Sequence, residues 1–357
     1  MVSDGLKSRI LEIIQGGAAV SDALFTELAL ELHAAQRAAS PFLDRFYATS
    51  GSQARHWSEI PGLPTSAFKR TQVRAFPESR TFTYFQTSGT TEGESGRHYF
   101  ETLEFYEAAI LPNFKSHLLP RGERLPMLIL TAPPEEMPNS SLVHMMEVVK
   151  NQLGGEGSDY FLREGKLQFD GLLRRIQDFT QRHEPVFLLG TAFAFVHLLD
   201  ALTDTGNTLA LPAGSRIMET GGFKGRSREV ERVDFYPMLS AAMGVPLDHI
   251  VNEYGMTELS SQFYDVSLAA GKATARKSMP AWTRVLCVDP MTGAPMPDGT
   301  EGLIRVYDLA NVGSSCVLQT EDVGVHHGST FEVHGRVPMA SPRGCSLAAE
   351  QLQTRSL

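Results

Sequence analysis

The sequence predicts an α/β fold with mostly parallel sheets and flanking helices, plus a small antiparallel β subdomain. The first observation is that short apolar runs alternate with longer amphipathic runs between residues 80 and 253. The second is that the short apolar runs in residues 280–334 are separated by Gly, Pro and Asp, with no helical pattern between them. Alternating strands and helices indicate a parallel sheet that is covered on both faces, whereas strands joined by turns indicate antiparallel pairing.

Residues 1–50 are predicted to form a helical lead-in. Apolar residues recur there at helical spacing, namely Leu6, Ile10, Ile13 and Ile14 and then Leu24, Leu28, Leu30 and Leu32. The next segment, Ile60–Thr65, contains two prolines and a glycine, so we predict a turn rather than a regular element.

The α/β part is predicted to contain five strands and five helices. The strands are Thr81–Phe85, Met127–Thr131, Val186–Leu189, Ile217–Glu219 and His249–Glu253. The helices are Glu104–His117, Ser141–Leu153, Phe169–Gln181, Ala194–Leu202 and Arg226–Ala242. The antiparallel subdomain is predicted to contain the strands Thr283–Asp289, Leu303–Leu309, Cys316–Leu318 and Thr330–Val333.

Composition excludes several classes of function. Hydrophobic residues make up 42% and charged residues 20% of the 357 residues, as is usual for a soluble globular protein. A net charge of −9 argues against a nucleic-acid partner or an anionic membrane surface, because binding to phosphates needs a basic face. No run approaches the roughly 18 apolar residues of a spanning helix, and no secretory leader is seen, so we expect a cytoplasmic protein without a membrane span.

The three cysteines do not form a recognisable framework. Cys287, Cys316 and Cys345 are an odd number at wide spacing, from which neither a disulfide pattern nor a metal site follows.

The first candidate for a chemical role is the segment Thr87–Gly93, which follows a predicted strand. It contains four hydroxyl side chains and two glycines. Glycines let main-chain N–H groups approach an anion, and the hydroxyls donate further hydrogen bonds, which indicates a phosphate-binding loop. A polar hairpin turn is the alternative. The segment is not the ordinary P-loop, because the Gly-Lys-Ser/Thr ending is missing.

The second candidate is Asn252–Glu258, at the end of another predicted strand. Ligands of open parallel sheets bind at the carboxyl ends of the strands. Glu258 offers a carboxylate for Mg²⁺, Thr257 a hydroxyl for a phosphate, and Tyr254 a flat ring for a base. Taken singly, Tyr254 is also typical of a core aromatic and Glu258 of a solvated helix start.

Two further segments lie near the end of the sequence. Thr320–Gly324 is predicted to be a turn that carries a carboxylate, whose alternative role is local turn capping. Arg336 follows it, and Cys345 lies nine residues after Arg336.

In this order the segments resemble the adenylate-forming superfamily of acyl and aryl acid ligases, and more narrowly the acyl-protein synthetases, the long-chain-fatty-acid luciferin-component ligases. The narrower resemblance covers roughly residues 55 to 350. It is carried by the six segments Ile60–Lys69, Phe85–Gly93, Leu189–Phe195, Met218–Glu229, Val251–Gln262 and Arg343–Leu347.

The resemblance implies roles for individual residues. The ATP phosphates would be bound by Thr87, Ser88, Gly89, Thr90 and Thr91. Tyr254 would stack near adenine, Gly255 belongs to the same segment, Thr257 would reach a phosphate, and Glu258 would assist Mg²⁺. Gly221 and Gly222 would form part of the adenine and acyl pockets, Asp322 would bind the ribose hydroxyls, and Arg336 matches the arginine after that turn. An adenylation domain over residues 1–334 and a tail over 335–357 are the implied organisation.

The sequence departs from the superfamily pattern in three ways. Glu321 stands where glycine is usual, and the phosphate loop continues to Arg97 where a lysine is usual. The sequence also ends soon after Arg336, so we expect no C-terminal domain with a catalytic lysine. Lys69 and Lys224 lie in family-like segments and are the candidates for the missing cation, with surface or helix-capping roles as the alternative.

Three functional hypotheses follow. In the first, a fatty acid is adenylated with ATP and Cys345 carries the acyl group as a thioester to a protein partner such as a reductase or a carrier protein. Cys345 as a buried structural cysteine is the alternative. In the second, an aryl or short acid is adenylated and transferred to coenzyme A, a carrier-protein thiol or an amine. In the third, the chain binds nucleotide without turnover, which retention of Glu258, Asp322 and the hydroxyl loop disfavours.

Overall fold

The computed structural model describes residues 1–49, 53–87, 95–206, 208–221 and 232–336. The chain divides into two compact units. The β-rich unit comprises Met1–Pro112, Met256–Gln262 and Lys277–Leu357, and the α/β unit comprises Asn113–Gly255 and Phe263–Arg276. Lys69 and the segment Met256–Gln262 therefore belong to a different unit from Tyr254.

The described residues form the following elements. The helices are α1 (Asp4–Gly16), α2 (Asp22–Ala39), α3 (Pro41–Ala48), α4 (Ala67–Arg70), α5 (Glu104–Leu118), α6 (Ser141–Leu153), α7 (Phe169–Gln181), α8 (Ala192–Thr205), α9 (Arg232–Met243) and α10 (Ser267–Ala270). The strands are β1 (Leu63–Pro64), β2 (Thr83–Gln86), β3 (Arg97–Phe100), β4 (Met127–Leu130), β5 (Asp159–Tyr160), β6 (Leu162–Arg163), β7 (Lys166–Leu167), β8 (Phe187–Thr191), β9 (Arg216–Thr220), β10 (Ile250–Tyr254), β11 (Phe263–Tyr264), β12 (Lys277–Ser278), β13 (Thr283–Val288), β14 (Glu301–Asp308), β15 (Val317–His327) and β16 (Thr330–Arg336).

The α/β unit is built on one mostly parallel sheet. Its strand order is β11-β10-β9-β8-β4-β5, in which all neighbours are parallel except the edge pair β10 and β11. Strand β4 is buried along its whole length, as expected for a sheet with both faces covered.

Helices cover both faces of this sheet. Leu188 of β8 packs in one core with Ile176 of α7 and Phe235 of α9. The ring of its neighbour Phe187 lies 5.8 Å from the ring of Phe114 on α5. Because successive strand residues point to opposite faces, α5 lies on the face opposite to α7 and α9. The predicted α/β architecture is confirmed.

The β-rich unit contains an antiparallel sheet of order β12-β16-β15-β14-β13. Strand β1 adds to β15 in parallel. Strands β2 and β3 form a separate antiparallel pair in the same unit. The small antiparallel subdomain is thus confirmed.

The N-terminal helices pack on the β-rich unit. Ser3, Ser21 and Ser40 cap the first three helices, each accepting a hydrogen bond from a main-chain N–H inside the helix. The apolar faces of α1 and α2 share a core with Trp282 and Val317.

A buried glutamine anchors α2 to the unit. Gln36 Nε2 donates to the carbonyl oxygens of Asn311 at 2.7 Å and Val312 at 3.2 Å, and its Oε1 accepts from Cys316 N–H at 3.0 Å. Its side chain is 1% exposed. It therefore satisfies three main-chain groups that the helix would otherwise cover without partners.

Two predictions within the first hundred residues are corrected by the structure. The strand predicted at Thr81–Phe85 is present as β2, but it pairs with β3 in antiparallel fashion and does not join the parallel sheet. Part of the predicted turn Ile60–Thr65 is strand β1. Pro64 has no N–H for the ladder, and the N–H of Thr65 donates to the Gln319 carbonyl at 3.1 Å instead. Predicted helix residues 226–231 lie outside the described residues.

None of the helices in the described ranges has the length and apolar character needed to cross a bilayer.

We predict that Gln36→Leu lowers the free energy of unfolding by about 2–4 kcal/mol, because it leaves buried main-chain donors and acceptors unpaired. A urea midpoint followed by tryptophan fluorescence measures this change. Gln15→Leu on the exposed side of α1 is the matched control and should shift the free energy by less than about 0.5 kcal/mol. Equal midpoints for both variants would contradict the anchoring role.

Candidate active site

The predicted phosphate loop joins the two strands of a β-hairpin. Thr87 N–H donates to the Gly96 carbonyl at 2.9 Å, and Gly96 N–H donates to Thr87 Oγ1 at 2.8 Å. The hydrogen-bonded ladder of β2 and β3 thus extends by one residue on each side. Ser88, Gly89, Thr90 and Thr91 lie outside the described residues. Strands β2 and β3 therefore form a hairpin, as the alternative interpretation of this segment expected. The phosphate-binding role of the loop stays a prediction.

Lys69 lies beside the base of this hairpin. A Cβ added to Gly96 would lie 3.1 Å from Lys69 Cγ and 3.1 Å from the carbonyl carbon of Phe68. The stem of Lys69 therefore packs against the main chain that closes the hairpin. Lys69 is exposed and lies in the last turn of α4. This position also fits the alternative of a helix-capping lysine.

The other candidate cations differ in what the structure describes. The Arg97 guanidinium carbon lies 4.9 Å from the centre of the Tyr84 ring, a cation–π contact across the hairpin. Lys224 and Gly222 lie outside the described residues. Of the two predicted lysines, Lys69 alone can be located.

Gly221 follows β9 with a positive φ of 81°. Among the described residues, no atom lies within 4 Å of a Cβ added there, and the positive φ is what favours glycine. The strand before it is buried throughout. Gly221 thus stands at the carboxyl end of a central parallel strand, where ligand sites of such sheets occur.

Tyr254 and Gly255 stand at the end of the neighbouring strand β10. The Tyr254 ring lies 6.2 Å from the ring of Phe263 on β11. A Cβ added to Gly255 would overlap Oε1 of Glu253, whose other carboxylate oxygen accepts a hydrogen bond from Thr220. A side chain at position 255 would therefore displace the Glu253 carboxylate, which is buried.

The segment Met256–Gln262 is held in the β-rich unit through its main chain. The Thr257 carbonyl accepts from His98 Nδ1 at 2.9 Å, and the Glu258 carbonyl accepts from Asn311 Nδ2 at 3.0 Å. Glu258 is 8% exposed and lies in a turn. The alternative of a solvated helix start is therefore wrong.

A buried carboxylate completes this anchoring. Asp308 Oδ2 accepts from Ser260 N–H at 3.1 Å, and its Oδ1 accepts from Ser261 Oγ at 2.8 Å and Ala310 N–H at 3.0 Å. Burial raises the pKa of Asp308 to about 6, because a charged carboxylate is poorly solvated in the core.

Asp322 and Arg336 face each other on neighbouring strands. They are register partners on β15 and β16, and Arg336 Nε donates to Asp322 Oδ1 at 3.2 Å. The structure thus brings together two residues predicted for nucleotide binding. The Asp322 side chain is 12% exposed and that of Arg336 is 58% exposed.

The predicted turn Thr320–Gly324 is wrong, because these residues lie within β15. The ladder between β15 and β16 shifts register between Val323 and Gly324. A Cβ at Gly324 would overlap the Glu332 carbonyl oxygen. The glycine marks a β-bulge with close main-chain approach rather than a turn.

Two of the three cysteines are buried thiols. Cys287 Sγ donates to the Gly324 carbonyl at 3.1 Å, and both Cys287 and Cys316 are in the core. Burial raises the pKa of Cys287 to about 11 and that of Cys316 to about 12. Neither can readily supply a thiolate near neutral pH. Cys345 lies outside the described residues.

Three anchoring residues were not predicted: His98, Asp308 and Asn311. Each is almost fully buried and bonded to the segment Met256–Gln262 or its neighbours. The alternation of β3 places His98 on the same face as Phe100, which is the signal that was available. Their partners are distant in sequence, so the pairing itself had no local signal.

Comparison with known proteins identifies the family. Residues 54–354 match the family model of the acyl-protein synthetase LuxE. The long-chain-fatty-acid–luciferin-component ligase of Vibrio harveyi is 22% identical over 316 residues, which are 85% of this chain and 81% of that protein. The ligase of the same name from Aliivibrio fischeri is 22% identical over 305 residues, 81% of this chain and 78% of that protein.

Solved structures share the fold. The 2-hydroxyisobutyryl-CoA ligase in complex with 2-HIB-AMP and CoA has a TM-score of 0.64 at 14% identity, covering 92% of this chain and 79% of that one. ATP-bound MatB from Rhodopseudomonas palustris has a TM-score of 0.50 at 21% identity, covering 71% of this chain. The chain spans 47% of the length of MatB. These likenesses show the fold of the adenylate-forming enzymes.

Since the family model covers most of the sequence, from a point before Lys69 to one beyond Cys345, the chain belongs to the acyl-protein synthetase family and is a ligase with the adenylate-forming fold.

Proposed function

We propose that this protein activates a carboxylic acid with ATP, with a fatty acid as the favoured substrate, and transfers the acyl group through Cys345 to a protein partner. The observation that carries the proposal is the family match over residues 54–354, which includes every proposed site residue. The names of the curated relatives support a long-chain fatty acid. Because ATP is the co-substrate, the proposal includes a cytoplasmic location.

In the first step a carboxylate oxygen of the acid attacks the α-phosphorus of ATP. The bond from that phosphorus to the bridging oxygen breaks, pyrophosphate leaves, and an acyl-adenylate forms. This exchange replaces a poor leaving group by AMP and makes the carbonyl carbon attackable. Negative charge builds on the phosphate during the step, so a cation in the site lowers the barrier.

The phosphate loop and Lys69 are proposed to meet this need. Thr87, Ser88, Gly89, Thr90 and Thr91 would donate main-chain and hydroxyl hydrogen bonds to the phosphates. The contact between the Lys69 stem and Gly96 supports Lys69 as a cation near the loop. Lys224 stays a second candidate, predicted from the sequence.

The residues present fit Mg²⁺ that arrives with the nucleotide. Glu258 is a buried carboxylate on an anchored turn. Among the described residues, no group of three or more His, Cys, Asp or Glu side chains could hold a metal ion. One carboxylate together with substrate phosphates is a donor set that suits Mg²⁺. When bound, Mg²⁺ would neutralise phosphate charge, and Glu258 would hold it.

The remaining proposed contacts are to the nucleoside. Tyr254 would offer its ring to adenine, next to Gly255, while Gly221 and Gly222 would allow close approach of the main chain. Asp322 would accept hydrogen bonds from the ribose hydroxyls. The hydrogen bond that Asp322 accepts from Arg336 would orient its carboxylate for that purpose.

In the second step the Cys345 thiolate attacks the acyl carbonyl. The bond from the carbonyl carbon to the AMP oxygen breaks, AMP leaves with the electron pair, and a thioester forms. Burial of Cys287 and Cys316 supports Cys345 as the carrier, since the other two thiols are inaccessible. Arg343 lies two residues away and would favour the thiolate. The thioester then passes to a nucleophile of the partner, such as a reductase or a carrier protein.

ATP–pyrophosphate exchange with a panel of carboxylic acids tests the first step. We expect exchange that depends on the acid and is fastest with long-chain fatty acids. Faster exchange with aryl or short acids than with long-chain fatty acids would contradict the fatty acid as the favoured substrate. Nucleotide binding without exchange for any acid would contradict adenylation.

We predict that incubation with ATP and fatty acid adds one acyl mass to the protein, and that Cys345→Ser abolishes the adduct while exchange continues. Intact-protein mass spectrometry reads the adduct. Cys287→Ser is the matched control and should keep it. An unchanged adduct in Cys345→Ser would exclude this cysteine as the carrier.

We predict that Lys69→Ala slows exchange by about 10- to 1,000-fold, because a preorganised positive group near the developing charge is removed. Lys272→Ala, at an exposed lysine of the α/β unit, is the control and should retain the wild-type rate. Equal rates for the two variants would leave Lys224 or Arg97 as the cation.

A further inference from the structure

We propose that His98 is a positioning residue that holds the main chain at Thr257, and with it Glu258, against the hairpin of β2 and β3. This inference rests on the proposed adenylation, because Thr257, Glu258 and the hairpin loop are the residues assigned there to the phosphates and Mg²⁺. The proposed function assigns His98 no contact with ATP or with the acid. It would act through the hydrogen bond to the Thr257 carbonyl.

The partners of the His98 ring determine its tautomer. Nδ1 lies 2.9 Å from the Thr257 carbonyl oxygen, and Nε2 lies 2.9 Å from Ser314 Oγ. A carbonyl can only accept, so Nδ1 carries the proton and donates it. In the neutral ring Nε2 is then an acceptor, and the Ser314 hydroxyl donates to it.

Burial keeps the ring in this neutral form. His98 is 1% exposed, and its ring centre lies 4.2 Å from that of Phe100 and 5.4 Å from that of Phe68. These apolar neighbours lower the pKa of His98 to about 4 by desolvation, so the ring stays neutral near pH 7. The donor to Thr257 is therefore present throughout the physiological range.

The location of His98 links three parts of the β-rich unit. It is the register partner of Phe85, so it lies in the hairpin whose two strands flank the proposed phosphate loop. One ring nitrogen reaches the Met256–Gln262 segment, and the other reaches Ser314, just before β15. One imidazole thus sets the distance between the hairpin and the turn that carries Glu258.

Two amide substitutions separate the bonds that His98 makes. The side-chain amide of His98→Asn reaches the position of Nδ1, so it can still donate to Thr257 but loses Ser314. The amide of His98→Gln reaches the position of Nε2, so it can keep Ser314 but loses Thr257. Ser314→Ala removes the second bond alone.

We predict that His98→Gln raises the KM for ATP in exchange at least tenfold or lowers kcat by a similar factor. His98→Asn and Ser314→Ala should stay within about threefold of wild type in both constants. Urea midpoints of all three variants, measured in parallel, establish that they are folded. If His98 had only a structural role, the kinetic losses of the variants would follow their losses of stability. The losses would then not depend on whether the new amide replaces Nδ1 or Nε2.

Equal kinetic losses in the Asn and Gln variants would overturn the inference while leaving adenylation intact. A wild-type protein without exchange for any acid would instead contradict the proposed function. The contact is then tested by ¹⁵N NMR of labelled histidine, with the His98→Asn spectrum assigning this ring among the 11 histidines. A neutral Nδ1–H tautomer is expected, and an Nε2–H tautomer would overturn the inference.

Discussion

The attachment of Met256–Gln262 to buried polar side chains is the constraint on which the candidate site depends. Asp308 binds the main chain and hydroxyl of this segment near Ser260, and His98 and Asn311 bind two successive carbonyls. Burying a carboxylate is costly unless hydrogen bonds compensate for lost hydration. The raised pKa of Asp308 reflects that cost. In return, the hydrogen bonds from these buried side chains fix the position of the turn that carries Glu258.

Three glycines among the candidate site segments lie very close to neighbouring atoms. Gly96 faces the Lys69 stem and Phe68, Gly255 faces the Glu253 carboxylate, and Gly324 faces a carbonyl across a bulge. At each position a side chain would displace a neighbour that is main chain or a buried carboxylate. These glycines therefore determine local distances.

The errors in the predicted elements have identifiable physical causes. The strand before the phosphate loop has the same apolar pattern whether its neighbour is parallel or antiparallel, so the pattern could not reveal that β2 pairs with β3. The Thr320–Gly324 segment has the composition of a turn, but its glycine serves a bulge inside β15. Local composition indicated a break in the regular strand at the right place, but it could not distinguish a turn from a β-bulge.

The sequence by itself determined the α/β class, the antiparallel subdomain, most helix and strand positions and the order of segments that identifies the family. These follow from local periodicity and from motifs, which are encoded in neighbouring residues. The tertiary structure alone decided that Lys69 packs against Gly96, that Asp322 pairs with Arg336 and that His98 binds Thr257. Such contacts join residues that are far apart along the chain. They depend on strand pairing and burial, for which a single sequence carries no local pattern.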